Sequence, residues 1–360
     1  MGIAGGRAVS LAMALLLGAC GGDGGPHALD DYLARLARPL GATPDPEYST
    51  PAVPPRTGAL NLPIAADALD GLDFLRLRGC ALQATVARRN SSLGRVAPPS
   101  QRLLLELAFL REAPPCIAKL SQEGEEELAQ LLRLAVRNKT AQLPVLIYNA
   151  TLASAEFRDF WRATSLPRDY PEHTSSLVVT ALEQIVEDSQ RWLAGDYGAD
   201  ERRLELALST VARGDGGELL RALLVQRNVL AEGDELIREH LADGPLCREG
   251  LRPRAAEILR TVARKYFVGR VQTWSASVGK RFHDMSPAIS ELEGALAEVL
   301  PAPYQDWQQT RDQILSDGMA APAQHVTQLQ ALLGSCYSEF APEPSGQQHD
   351  SRRQKTAVEA

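Results

Sequence analysis

The sequence lacks the local patterns that mark the common enzyme and cofactor sites. It has no Gly-x-Ser-x-Gly turn, no His-Glu-x-x-His metal motif and no glycine-rich phosphate loop, and its six histidines are scattered over 360 residues. Dipeptides typical of β-hairpins between alternating apolar runs are also missing. These absences predict no catalytic residue, no cofactor and no bound metal, and they favour, without requiring, a role other than catalysis.

The chain also lacks a large excess of charge of one sign, and it has few long apolar runs. The 38 basic and 45 acidic residues give a net charge of −7, and a mildly acidic chain argues against nucleic acid as the main partner. Beyond the first 20 residues no run reaches the roughly 18 uncharged apolar residues of a membrane-spanning segment. No transmembrane helix is therefore predicted in the body of the chain.

The start of the chain does carry an apolar run, and it has the secretory pattern. Residues 1–7 hold one basic side chain, Arg7, and residues 8–17 are apolar apart from Ser10. A charged start followed by about ten apolar residues is typical of a signal peptide, and a bilayer span needs about 20. Residues 1–19 are therefore predicted to be a signal peptide.

The signal peptide ends in Leu17-Gly18-Ala19-Cys20, which resembles the lipobox of bacterial lipoproteins. The resemblance implies cleavage before Cys20 and attachment of a diacylglycerol to its thiol, although the class more often has Ala or Ser where Gly18 stands. In this class an Asp after the cysteine favours retention in the inner membrane. Gly21 takes that place here, which implies the periplasmic face of the outer membrane. The alternative is a soluble secreted protein in which Cys20 has no role.

Four further cysteines follow, at Cys80, Cys116, Cys247 and Cys336. An even number in an exported chain predicts two disulfides, for which three pairings are possible. A helix from Cys80, a proline-containing turn and a returning helix would bring Cys116 back to the level of Cys80. This geometry favours Cys80–Cys116, and elimination leaves Cys247–Cys336. A metal site is disfavoured because no two cysteines are close and no histidine lies nearby at ligand spacing.

From residue 64 onward, apolar residues recur at helical spacing almost without interruption. Pro287, Pro303 and Pro322 each stand where a helix is predicted to begin. The sequence therefore predicts an all-α fold of about ten helices. A multi-helix bundle and a short irregular α-solenoid both remain open, because similar runs at three helix ends recur without a regular period.

The predicted organisation has four parts after the signal peptide. Residues 20–27 form a lipidated tether, and residues 28–66 form a helix followed by a proline-rich linker or strap. Residues 67–340 form the all-α periplasmic domain, and the polar residues 341–360 form a disordered tail. Six prolines between residues 41 and 63 exclude a long helix or a central strand from the linker.

The most distinctive run is 87–102, ARRNSSLGRVAPPSQR, which contains four arginines and no acidic residue. Guanidinium groups beside hydroxyls and a helix N-terminus suit a phosphate or a carboxylate. The predicted anion-binding surface consists of Arg88, Arg89, Asn90, Ser91, Ser92, Arg95 and Arg102. The alternative is a structural turn between two helices, with Leu93 in the core and Ser100 as a helix cap.

Within that run, RNSSLG followed by SQRL, with a lipobox ahead and an all-α body behind, resembles an uncharacterised family of proteobacterial lipoproteins. That family is classed only as a domain of unknown function. The resemblance extends over most of the mature chain and rests on this run together with Cys80. It implies export and lipidation, and it brings no activity and no catalytic residue.

A second basic stretch, 260–281, has six Arg or Lys residues interleaved with aromatic ones and no acidic residue. It is typical of an amphipathic helix with a basic face. A surface for anionic lipid or glycan is the alternative.

Together these features predict a lipid-anchored protein of the cell envelope that acts by binding. Its predicted contacts are the membrane, through a lipid on Cys20, and either another envelope protein or an anionic envelope polymer. The alternative is an envelope enzyme that acts on cell-wall glycan through helix-borne carboxylates, because such carboxylates need no local motif.

Overall fold

A computed structural model describes residues 25–65, 77–162, 165–248 and 251–340. The signal peptide, the predicted attachment point Cys20 and the C-terminal tail lie outside these residues. Within them the chain is largely helical and forms no β-strand, only one isolated bridge between Arg248 and Leu251. The predicted all-α fold is confirmed. In the same ranges, no helix combines the length and the apolar character that a membrane span requires.

The helices follow one another through links of varied length. The longer ones are α1 (Pro26–Leu40), α2 (Leu82–Asn90), α3 (Pro99–Gln122), α4 (Glu126–Ala150), α5 (Ala155–Phe160), α6 (Ser176–Leu193), α7 (Glu201–Val211), α8 (Gly216–Ala242), α9 (Arg254–Thr261), α10 (Gln272–Ala295) and α11 (Ala302–Gly334). A π-helical segment, Val262–Val271, joins α9 to α10 without a break. Short helical turns lie at Thr57–Leu60, Ser92–Arg95, Ala297–Val299 and Ser338–Phe340.

Two of the prolines do not begin helices as predicted. Pro303 lies in the first turn of α11, but Pro287 and Pro322 lie inside α10 and α11. A proline inside a helix removes a backbone hydrogen bond and crowds the preceding turn, at a cost of about 3 kcal/mol. On either side of Pro287, the side chains of Met285 and Ile289 are buried in the core. Tertiary packing of this kind outweighs the local preference of the proline.

One large core joins the two halves of the chain. The first helix, α1, buries Leu29, Tyr32 and Leu36 against α8, α9 and the π-helical segment, and α8 packs along α11. In a solenoid each repeat contacts only its neighbours, whereas here the first helix packs against elements of the C-terminal half. The described part of the chain is therefore a closed multi-helix bundle.

The proline-rich residues 41–56 run as an extended strap over this core. Asn228 Nδ2 donates to the carbonyl of Glu47 at 2.9 Å, and Trp307 Nε1 donates to the carbonyl of Ala52 at 2.9 Å. These bonds fasten the strap to α8 and α11. The strap and α1 therefore belong to the same packed body as the C-terminal helices.

A smaller core lies between α2, α3 and the first half of α4, where Leu128 is fully buried. The disulfide Cys80–Cys116 closes it, with the two Cα atoms 5.4 Å apart. The second disulfide, Cys247–Cys336, joins the segment before α9 to the end of α11, with a Cα separation of 5.2 Å. Both predicted pairings are present, and both separations are ordinary for disulfides.

Candidate functional site

The fold divides the predicted anion-binding surface. Its exposed members are Arg88, Asn90, Ser91, Ser92 and Arg95. Arg102 is half-buried, and Arg89 turns inward, where its Nε donates to Glu106 Oε1 at 2.6 Å. Lys139 Nζ lies 2.5 Å from the other oxygen of this buried carboxylate. Arg89 therefore helps to balance a charge in the core and does not contribute to a surface.

The exposed members lie on a structured turn between α2 and α3. Ser91 Oγ accepts a hydrogen bond from the Gly94 amide at 3.0 Å and donates to the carbonyl of Arg88 at 2.7 Å. The two residues expected in structural roles here are placed differently: Leu93 is 80% exposed, and Ser100 lies inside α3, where its hydroxyl donates to Glu205. The turn is thus capped by Ser91 and carries no core residue at Leu93.

A second group of polar side chains converges where the loop before α6, the start of α8 and the middle of α10 meet. Arg281 Nε donates to Asp215 Oδ2 at 2.9 Å, and its Nη2 bonds to Oδ1, which makes the pair bidentate. The Tyr170 hydroxyl also donates to Asp215 Oδ2, at 3.0 Å. Arg281 is only 5% exposed, and it donates in addition to the carbonyl of Ser175. Both oxygens of Asp215 are therefore engaged.

The turn that carries Asp215 consists largely of glycine because an aromatic ring lies against it. A Cβ atom on Gly214 would lie 2.7 Å from the Phe160 ring, and one on Gly216 would lie 2.4 Å from it. No side chain fits at these distances, so RGDGGE (213–218) can pack flat on the ring. Since α8 begins at this point, Asp215 is its N-cap residue and Glu218 lies in its first turn.

Glu218 is half-buried, one helical turn beyond Asp215. Its Oε2 atom is shielded from solvent and has no hydrogen-bond partner within the described part of the chain. Burial raises the pKa of this carboxyl, and the negative charge of Asp215 raises it further. Glu218 therefore keeps its proton to a higher pH than an ordinary glutamate. A carboxyl shifted by burial and a like charge, in a cleft, is a candidate functional group.

These side chains face a cavity of about 290 Å³. The polar residues that line it include Tyr170, His173, Arg213, Asp215 and Glu218. A larger groove of about 720 Å³ lies between α6 and α10, and Arg281 contributes to its lining. The Asp215–Arg281 pair thus stands between the cavity and the groove, whose sizes are close to those of small-molecule sites, about 300–1,000 Å³. We refer to the cavity with its polar residues as the Asp215–Glu218 site.

A buried polar network links three helices of the bundle. His325 on α11 lies with Nδ1 2.5 Å from Asp234 Oδ1 on α8, and its Nε2 bonds to the Tyr32 hydroxyl on α1. Each ring nitrogen of His325 therefore has one polar partner, on a different helix of the bundle. The imidazole is completely buried, so this network fastens α1 to the bundle.

A second buried network surrounds Arg311 on α11. The guanidinium forms a bidentate pair with Glu293, at 2.6 and 2.8 Å, and lies 4.9 and 5.0 Å from the centres of the Trp161 and Trp307 rings. The Tyr304 hydroxyl donates to the same carboxylate at 2.6 Å. Each charge is paired and hydrogen-bonded, as burial requires. Neither network forms a metal site: across the described ranges, no group of three or more His, Cys, Asp or Glu side chains could hold a metal ion.

The sequence patterns did not reveal the Asp215–Glu218 site. Its members are far apart in the chain, since Tyr170 and Arg281 are separated from Asp215 by 45 and 66 positions. The one local signal is RGDGGE, in which glycines around an acidic residue precede a helix. Glycine is favoured where the backbone must approach another group closely, and here that group is Phe160.

Comparisons with known proteins give one result. Residues 29–339 match the model of a family described as "Protein of unknown function (DUF3080)". The comparison with curated proteins and the comparison with solved structures each gave no match.

Proposed function

The chain belongs to this family of proteins of unknown function, and we propose from its own residues that it is a lipid-anchored binding protein of the cell envelope. A lipid on Cys20 holds it at the periplasmic face of the outer membrane, and the Asp215–Glu218 site binds a hydroxyl-rich envelope polymer. The lipobox supports the anchor. The two disulfides support export, because such bonds persist in oxidising compartments.

The unsatisfied oxygen of Glu218 carries the proposal for binding. A carboxyl oxygen that is shielded from solvent and has no partner costs free energy, and a ligand that bonds to it recovers that cost. In its protonated form Glu218 can both donate and accept a hydrogen bond, which suits the hydroxyl and ether oxygens of a glycan. The surrounding groups are fixed in advance, because Arg281 and Tyr170 hold Asp215 in place. Such preorganisation lowers the cost of binding.

Binding of the purified protein to insoluble cell-wall material tests this proposal. Wild type is expected to sediment with the material, whereas Glu218→Ala is expected to remain largely in the supernatant. Glu298→Ala removes an exposed carboxylate elsewhere and serves as the matched control. Equal sedimentation of both variants with wild type would exclude the Asp215–Glu218 site as the glycan site.

The anchor is tested separately in cells. Wild-type chain is expected to incorporate a labelled fatty acid and to fractionate with membranes. Cys20→Ser is expected to lose both the label and the membrane association. If this variant retained the label, the lipid would be attached to a residue other than Cys20, and the proposed anchor would be wrong.

The second candidate function is hydrolysis of cell-wall glycan at the same site. The raised pKa of Glu218 favours it, because glycosidases keep one carboxyl protonated as a general acid. Cleavage by that chemistry also needs a second carboxylate, and both oxygens of Asp215 are already bonded to Arg281 and Tyr170. The other carboxylate that lines the cavity, Asp169, lies 3.4 Å from a histidine nitrogen. This engagement is the reason we place binding first.

Release of soluble fragments from cell wall distinguishes the two functions. Binding alone leaves the wall intact for wild type and for Glu218→Gln. Release by wild type that is lost in Glu218→Gln would establish the enzyme and overturn the binding-only proposal.

A further inference from the structure

The turn between α2 and α3 presents two large apolar side chains to solvent. Leu93 is 80% exposed and Val96 is 78% exposed, more than any other large apolar side chain in the described ranges. Single exposed apolar residues are common on protein surfaces. These two, however, lie three positions apart on one short turn.

The turn is rigid enough to hold them outward. Ser91 caps it from within, through the bonds of its hydroxyl to Gly94 and Arg88. A Cβ atom on Gly94 would lie 2.2 Å from the carbonyl oxygen of Arg88, so only glycine permits this close approach. Pro98 and Pro99 then fix the chain as it enters α3. We call residues 91–97 the knob.

The rim of the knob is basic. Arg88 and Arg95 are both exposed, and the run 87–102 contains no acidic residue. Carboxylates occur at its base, where Glu201 and Glu205 of α7 accept hydrogen bonds from the Gln101 side chain. Apolar side chains therefore project at the tip, and two exposed arginines lie close to them in the chain, of which Arg88 donates from Nη2 to Thr85 Oγ1 at 3.3 Å.

We propose that the knob inserts into the headgroup region of an anionic lipid bilayer. Leu93 and Val96 enter the boundary between headgroups and acyl chains, and Arg88 and Arg95 pair with lipid phosphates. Apolar residues with a basic rim are the features that hold peripheral proteins at such surfaces, and arginine suits phosphate oxygens. The contact is additional to a lipid on Cys20 and does not depend on it.

The shape of the knob favours lipid over a protein partner. A stable protein interface buries about 800 Å² on each partner and has an apolar centre. Two side chains on a protruding turn supply only a small part of that area. Insertion into a bilayer needs no matching surface, so a small convex tip is sufficient.

Vesicle flotation tests the proposal with the mature chain, starting at residue 20 and carrying Cys20→Ser, which retains every described residue. It is expected to float with phosphatidylcholine vesicles that contain phosphatidylglycerol, and only weakly with phosphatidylcholine alone. Leu93→Ser combined with Val96→Ser is expected to lower binding at least about tenfold. Arg88→Gln combined with Arg95→Gln is expected to lower binding to the anionic vesicles by roughly 30-fold.

Two variants on α7 serve as matched controls, because their side chains are exposed in the same way. Leu206→Ser removes an apolar side chain that is 65% exposed, and Arg202→Gln removes an exposed charge. Both are expected to float like the parent chain. No flotation with anionic vesicles, or equal losses in the knob and control variants, would overturn the proposal.

Fluorescence locates the contact. The four native tryptophans are buried, so a tryptophan at an exposed position reports on that position. Leu93→Trp is expected to be quenched by lipids brominated on their acyl chains, and Leu206→Trp is not. Flotation without quenching at position 93 would assign the membrane contact to another surface. Crosslinking of position 93 to a membrane protein, without vesicle binding, would assign the knob to a protein partner and equally overturn the proposal.

Discussion

Replacement of Asp215 by asparagine tests whether the Asp215–Arg281 pair organises the candidate site. The substitution keeps the shape of the side chain but removes the negative charge that receives the bidentate contact of Arg281 and the Tyr170 hydroxyl. The Arg281 side chain, which is 5% exposed, would then face a neutral amide. The NH₂ group of that amide is a hydrogen-bond donor, as the guanidinium is, so the two cannot bond to each other. Removal of one partner from a buried ion pair leaves the other charge without compensation.

The expected loss in the free energy of unfolding is about 3–5 kcal/mol, the range for a broken buried pair. Asp284→Asn, three residues beyond Arg281, is the matched control. It breaks the pair with Lys280, whose members are 39% and 77% exposed, and an exposed pair of this kind contributes about 0.2–1 kcal/mol. Urea unfolding at neutral pH measures the stability of both variants. If the dependence of the unfolding free energy on urea concentration keeps the same slope, only stability has changed.

Addition of Arg281→Met to Asp215→Asn removes the uncompensated charge as well. The double variant is expected to be more stable than Asp215→Asn alone, because a neutral apolar side chain at a buried position costs less than an unpaired cation. Equal losses of less than about 1 kcal/mol for Asp215→Asn and Asp284→Asn would refute the reasoning. Such a result would show that solvent reaches Arg281 in spite of its burial.

Three further changes probe other parts of the structure. The pKa of Glu218 is higher in the folded chain than in the unfolded chain. The stability that this carboxyl contributes is therefore complete below its unfolded pKa of about 4.3, and it is lost as the pH rises through its folded pKa. Glu218→Gln stays neutral, so its stability relative to wild type is expected to increase from about pH 4 to pH 7, as measured by urea unfolding at both. Cys80→Ala with Cys116→Ala is expected to cost about 4 kcal/mol by the chain-entropy model, with faster amide exchange in α2 than in α11. Tyr32→Phe leaves Nε2 of the buried His325 without its partner and is expected to cost about 1–3 kcal/mol, as measured by thermal unfolding. No loss in that variant would contradict the hydrogen-bond assignment.

The helices of the bundle could be predicted largely from local periodicity. The apolar positions of α1 recur at helical spacing, and Leu29, Tyr32 and Leu36 are indeed buried. The pairing Cys80–Cys116 was predicted from two helices of similar rise joined by a turn, and it is present although α2 has 9 residues and α3 has 24. Such features depend on residues close together in the chain, and a single sequence contains that information.

Helix ends were harder to predict wherever tertiary packing decides them. Proline is a strong local signal for the end of a helix, yet α3 continues through Pro114 and Pro115 to Gln122. The buried side chains of Ala113 and Leu120 lie on either side of these prolines and hold the helix in the smaller core. A sequence pattern does not show which contacts will compensate for a missing backbone bond.

Sequence patterns could not predict the candidate site, for a related reason. Its cation lies in a basic stretch that predicts a solvated helix face, yet Arg281 is buried, while Arg260 of the same stretch is partly exposed and pairs with Glu339. The carboxylate partner of Arg281 precedes it by 66 positions. Only the closure of the bundle determines which arginine turns inward, and closure depends on contacts between distant helices.

The position of α1 connects the predicted anchor with the site. From Cys20 to Gly25 the chain advances five residues, which reach at most about 18 Å when extended. Because α1 is packed into the main core, a lipid on Cys20 would hold the bundle itself, and not a loosely linked domain, with its attachment point at Gly25 within that distance of the bilayer. The backbone of Gly25 lies against the carbonyl of Arg168, two residues before Tyr170. The loop that supplies Tyr170 to the Asp215–Glu218 site is therefore next to the point where the tether leaves the bundle, and an anchored protein would offer the site to ligands close to the membrane surface.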